Sequence, residues 1–91
     1  MNSRFPLGRI VATPGALAAL HRAGDNPAAF LRRHVTGDWG YTEAHDRAEN
    51  DHSVEHGFRI LSAYALSDET RIWVITEADR STTTILLPEE Y

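Results

Sequence analysis
Four side chains at helical spacing, His45, Glu49, His52 and His56, form the sharpest chemical pattern in this sequence. Steps of four, three and four residues put them on one face of a helix. Imidazole and carboxylate one turn apart match the ligand spacing of a divalent ion, and neutral imidazole suits zinc or nickel. A single straight helix presents only two or three such groups to one ion. The pair His52 and His56 also lacks the glutamate directly after the first histidine that marks zinc-protease helices, and Asp51 precedes it instead. A solvated polar face accounts for the same pattern, so no structural metal and no other cofactor is expected.

A second grouping is Asp79-Arg80, followed by Ser81, Thr82, Thr83 and Thr84. A carboxylate, a guanidinium and hydroxyls at a hairpin are able to hold a phosphate or a partner's carboxylate. Ordinary turn chemistry with a surface ion pair explains them equally well. Trp39 lies in a turn cluster, Gly37-Asp38-Trp39-Gly40, where it either plugs the end of the core or offers an edge for binding. Nucleophilic catalysis has little footing: Ser62 and Ser81 pair with a histidine only on paper, and neither sits in a nucleophile elbow. A nuclease reading would use Arg80, Tyr64 and a histidine of the third helix as phosphate ligand, acid and base.

The elements that must position these groups follow from local pattern. Leu7–Ala12 reads as a first strand, at an edge, after Pro6. Thr13-Pro14 and Asn26-Pro27 are two N-cap and first-turn proline pairs. They start short helices that stop at Gly24 and Gly37 and form an αα-hairpin. A third, strongly polar helix runs from Thr42 to about Glu55, ending at Gly57, with Ala44, Ala48 and Val54 as its apolar residues. From Phe58 the period becomes two. Strands are expected at Phe58–Leu66, Arg71–Glu77 and Thr82–Leu87, with the middle one apolar on both faces and therefore central.

The expected fold class is α+β, in the order β-α-α-α-β-β-β. It comprises an antiparallel three- to four-stranded sheet with helices packed on one face. The expected core is Leu17, Leu20, Phe30, Leu31, Trp39, Ile60, Ile75 and Ile85. A length of 91 residues fits a single domain, 1–91. With 42% hydrophobic and 24% charged residues the chain is of ordinary globular composition. It has no cysteine, no membrane-length apolar run and no secretion signal, which points to the cytoplasm. All nine basic residues are arginine, and with 13 acidic residues the net charge is −4. That balance disfavours a phosphate-backbone binder, so no direct nucleic-acid contact and no membrane is expected.

Several segments resemble a family of small bacterial proteins carried on plasmids and integrative elements. These are LGRIVATPGALAAL, HVTGDWG, RAEN, GFRILSAY and above all IWVITEADRSTTTILLPEEY, and the likeness spans nearly the whole chain. Members go by "plasmid-related protein" or, loosely, "type I restriction endonuclease subunit M". The resemblance implies a mobile-element setting and carries over no catalytic residues. A chain of this size does not hold the doubly wound sheet of a methyltransferase, and no glycine-rich nucleotide fingerprint is present. The histidine-rich third helix departs from the family pattern.

Charge is unevenly spread. Between Asp38 and Glu55 there are six acidic residues, Asp38, Glu43, Asp46, Glu49, Asp51 and Glu55, against Arg47 alone. The expected function is therefore a mobile-element accessory protein that binds a host or element-encoded protein. One version is an acidic inhibitor that occupies the basic groove of a nucleic-acid-binding defence complex. The expected partner-binding residues are Asp38, Trp39, Glu43, Asp46, Glu49, Asp51, Asp79 and Arg80. The alternatives are the small nuclease or toxin and a metal-dependent sensor built on the histidine face.

Overall fold
A computed structural model describes residues 2–91. The chain is an α+β fold with the elements β1 (Arg9–Ala12), α1 (Pro14–Ala23), α2 (Pro27–Val35), α3 (Ala44–His56), β2 (Ile60–Ala65), β3 (Arg71–Thr76) and β4 (Thr82–Leu86). A single 3-10 turn, Pro88–Glu90, follows β4. Among the described residues no helix is long and apolar enough to cross a membrane.

The helix starts form as their sequences dictate. Thr13 Oγ1 accepts from the Ala16 N–H and Asn26 Oδ1 from the Ala28 N–H, each with proline in the first turn. Gly24 ends α1 in the left-handed conformation at φ 73°.

The sheet order is β1-β4-β3-β2, so β3 is interior and β1 is an edge. The sheet is mixed rather than antiparallel throughout: β2–β3 and β3–β4 are antiparallel, whereas β1 runs parallel to β4, pairing Arg9 with Thr82 and Ala12 with Ile85. A parallel neighbour requires a long crossover, and α1, α2, α3 and the β2–β3 hairpin together supply it. β1 is also shorter than expected. Gly8 turns at φ 66°, and a Cβ there would collide with the Arg80 and Ser81 carbonyls, so the extended segment starts at Arg9.

The main core lies between the sheet and α1–α2. Ala16, Ala19, Leu20 and Phe30 pack on Tyr64, Ile72, Val74 and Ile85. A second cluster, Phe5, Trp39 and Ile60, fills the sheet end near α3. Two core assignments need correction. Leu17 is 54% exposed, because Ala16, Ala19, Leu20 and Ala23 make the inward stripe of α1 and leave Leu17 to its side. Leu31 is only partly buried, against the main core.

The third helix reaches that face through Val54, which packs against the Phe5, Trp39 and Ile60 cluster. It lies along the outer edge of β2, where the Asn50 amide bonds Leu61 in both directions: Nδ2 donates to its carbonyl at 2.7 Å, and Oδ1 accepts from its N–H at 3.1 Å. One residue pair further on, Ala63 donates to the Trp39 carbonyl at 3.1 Å and accepts from the Tyr41 N–H at 2.6 Å. The glycine between them is required, since a Cβ at Gly40 would strike the Ala63 carbonyl and the Tyr64 ring. This side-chain and loop sealing covers an edge that would otherwise template aggregation.

Candidate interaction surface
The eight residues singled out by sequence fall into three places. Trp39 is 3% exposed and packs with Phe5 and Ile60, so it offers no edge to a partner. Its indole Nε1 donates to Asp51 Oδ1 at 3.2 Å, and Arg4 Nη1 donates to the same oxygen at 3.0 Å. These donors hold the Asp51 carboxyl below its ordinary range, Arg4 foremost. Asp38 is similarly engaged: Arg33 Nε donates to Oδ2 at 2.7 Å and the Gly40 N–H to Oδ1 at 3.2 Å. The Arg33 bond is the main cause of its lowered pKa. Asp38, Trp39 and Asp51 thus fix the loop ahead of α3; Trp39 is buried there, while the Asp38 and Asp51 carboxylates stay exposed.

Arg80 is also occupied. In the β3–β4 turn, at φ 60°, it donates to the carbonyls of Phe58 (2.7 Å), Ser53 (2.7 Å), Glu77 (3.1 Å) and Ala78 (3.2 Å). The guanidinium fork therefore pins the C-terminal end of α3 to the hairpin. Asp79 accepts from the Ser81 N–H at 2.9 Å, an Asx turn.

The histidine face does not converge. His45 Nε2 is 3.9 Å from Glu49 Oε1, while His52 stacks on His56 and on Phe58, with ring centroids 4.1 and 5.8 Å apart. Among the described residues no three His, Asp or Glu side chains gather as a metal site.

Sequence reasoning missed a buried polar chain beneath α2. His34, Ser62, Thr76 and Thr83 are each 0% exposed. His34 Nδ1 lies 2.5 Å from Ser62 Oγ and Nε2 lies 2.9 Å from Thr76 Oγ1; Thr76 Oγ1 is 2.8 Å from Thr83 Oγ1, which donates to the Leu7 carbonyl at 2.7 Å. The carbonyl accepts only, so the proton order follows from that end. Thr83 donates to Leu7, Thr76 to Thr83, His34 Nε2–H to Thr76, and Ser62 to the unprotonated Nδ1. The ring is thus the neutral Nε2–H tautomer. Burial, with the nearby Arg80 charge second, lowers its pKa to about 4. A serine hydroxyl against an imidazole resembles half of a catalytic pair, but this one is sealed from solvent and locks α2 onto three strands. The signal was present as Ser62, Thr76 and Thr83 in otherwise apolar strands, yet β propensity alone explains those residues.

What remains open on the surface is the outer row of α3. Glu43, Asp46 and Glu49 are exposed, and apart from the long His45–Glu49 approach none has an ion-pair partner among the described residues. Asp46 and Glu49, with Thr42, Asn50, Leu61 and Trp73, surround a hollow of about 290 Å³ between α3 and the helix-free face of the sheet. Its walls are largely the apolar surfaces of Leu61 and Trp73, and its rim carries two carboxylates. The Thr42 hydroxyl in its wall is buried with no hydrogen-bond partner. An apolar slot with an anionic rim suits a long side chain with a cationic end, as in arginine or lysine. Compared with family models, curated proteins and solved structures, the chain matches none.

Proposed function
We propose that this protein acts by binding another protein, and that α3 and the adjoining hollow form the contact surface for a basic partner. The observation that carries this reading is the separation among the carboxylates. Asp38 and Asp51 are engaged by Arg33 and Arg4, whereas Glu43, Asp46 and Glu49 are exposed with no arginine partner, Asp46 and Glu49 on the rim of an apolar slot. Asn50 suffices to bond α3 to the β2 edge, and the exposed carboxylates of Glu43, Asp46 and Glu49 add no hydrogen bond to that attachment.

The resemblance to plasmid and integrative-element proteins favours a specific version: an accessory protein of the bacterial cytoplasm that occupies the basic groove of a host defence complex. The nuclease alternative gains no support, because Arg80 is engaged by four carbonyls and the Tyr64 ring is buried with its hydroxyl on the Asp38 carbonyl.

The test is affinity capture from cells carrying the element, with the wild type and with Glu43, Asp46 and Glu49 all changed to Arg. Captured proteins are then purified and their association rates measured across a salt series. A stoichiometric basic partner that the folded triple variant no longer binds, with association slowing as salt rises, supports the reading. Equal binding by the triple variant removes it.

A further inference from the structure
The two edges of the sheet are treated differently. On β2, the outward groups of Leu61 and Ala63 are all taken, by Asn50, Trp39 and Tyr41. On β1, the parallel ladder uses alternate residues: Arg9 N–H bonds the Ser81 carbonyl at 2.9 Å and Thr13 N–H bonds the Ile85 carbonyl at 3.0 Å, with Val11 between them. Ile10 and Ala12 therefore turn their N–H and C=O groups away from β4, and no described residue meets them. No proline, lysine or bulge blunts this edge, and the Ile10 side chain beside it is 51% exposed.

We propose that this edge is a self-association surface on which two copies of the chain join β1 to β1, antiparallel, about a twofold axis at Val11. The two sheets then become one. In this register Ile10 of one copy faces Ala12 of the other, so the outward N–H and C=O groups of both residues pair completely, and Val11 faces its own counterpart on the axis. Sliding by one residue sets ladder-bound groups opposite free ones. Placing Ile10 opposite Ile10 sets Ala12 against Gly8, where the backbone has left the strand at φ 66°.

Charge selects a second copy over a foreign strand. Arg9 has no carboxylate partner in its own chain among the described residues. In the symmetric register it faces Thr13 of the other copy, and the Thr13 hydroxyl holds Glu90 Oε1 at 2.6 Å. Opposed residues of antiparallel strands share a face, so the Arg9 guanidinium of each copy meets the Glu90 carboxylate of the other. A foreign strand offers the same backbone groups without that carboxylate. The α3 surface lies at the opposite edge of the sheet and stays free in both copies.

Sedimentation equilibrium of the full chain measures the monomer–dimer constant of the wild type, Ile10→Pro and Arg9→Glu. Proline at position 10 removes the outward N–H together with the exposed isoleucine side chain, and leaves the β4 ladder whole. Loss of that bond in both copies weakens the dimer about thirtyfold. Arg9→Glu sets like charges together and weakens it about tenfold, with partial recovery at high salt. In the wild type the Ile10 and Ala12 amides exchange slowly, and dilution removes that protection. A wild type that remains monomeric at every concentration overturns the proposal. So does a dimer that both variants leave unchanged, which would place the contact elsewhere. Should Ile10→Pro fail to fold, Arg9→Glu, at an exposed side chain, decides the matter alone.

Discussion

The Asn50 amide stands against the Leu61 peptide as the next strand of a sheet would, giving one hydrogen bond and receiving another, at 2.7 and 3.1 Å. A helix side chain thereby substitutes for a strand neighbour. Asn50→Ala leaves both Leu61 groups to compete for water in a half-covered site and costs about 2 kcal/mol. Urea denaturation reads this as a lower midpoint at unchanged slope. Asn50→Asp recovers only part of the loss, because a carboxylate accepts from the N–H but repels the carbonyl.

Acid should destabilise the fold through His34. Its imidazole binds a proton less readily when folded, so the fold favours the neutral ring. That contribution is complete above the ordinary pKa of 6.5 and is lost as pH falls toward about 4. The gap corresponds to about 3 kcal/mol. His34→Gln lowers stability overall and flattens its pH dependence within this window, as measured by denaturation at a series of pH values. A variant that keeps the wild-type slope would assign the acid sensitivity to other groups.

A pair of truncations to alanine separates the inward face of the helices from the outward one. Phe30→Ala empties a site 8% exposed against Tyr64 and costs about 3–5 kcal/mol. Leu17→Ala, at a side chain 54% exposed, costs less than about 1 kcal/mol. Thermal unfolding of the two variants side by side checks both figures.

The carboxylates should divide in stability as they do in geometry. Changing Glu43, Asp46 and Glu49 together to Arg costs no more than about 1 kcal/mol, since none is hydrogen-bonded to the rest of the fold and the loss is confined to charge at the first turn of α3. Asp51→Ala strands the buried Trp39 indole N–H and frees Arg4, at a cost of about 1–2 kcal/mol. Equal losses in the two variants would show that the outer row of α3 is structural after all.

Local signals in the sequence were reliable where the physics is local. Thr13-Pro14, Asn26-Pro27, Gly24 and Gly57 place the helix ends, period-two alternation places β2, and a run apolar on both faces places β3 inside the sheet. What escaped depends on partners far along the chain. The direction of β1 is set by which strand it meets, and four residues carry no mark of that choice. The purpose of α3 was hidden because its anchor is a polar side chain meeting backbone, invisible to hydrophobic patterning. Asp38, Asp51 and Arg80 were recognisable as charged turn or helix residues. Only the fold reveals that they are already spoken for, and that Glu43, Asp46 and Glu49 are not.

The parallel joint between β1 and β4 also governs the order in which the molecule is made. β4 is the last strand in sequence yet sits between β3 and β1, and its β1 partner comes before every helix. During synthesis β1 has no strand to pair with until β4 emerges, so the earliest strand is the last to be secured. The αα-hairpin and the β2–β3–β4 meander are local and form quickly, while the closing step brings together residues from nearly opposite ends of the described chain and carries most of the loop-closure entropy. Docking of the N-terminal segment is thus the step expected to limit the rate of folding. Substitutions in β1 should slow refolding out of proportion to its length, whereas substitutions in α3 should act mainly on unfolding.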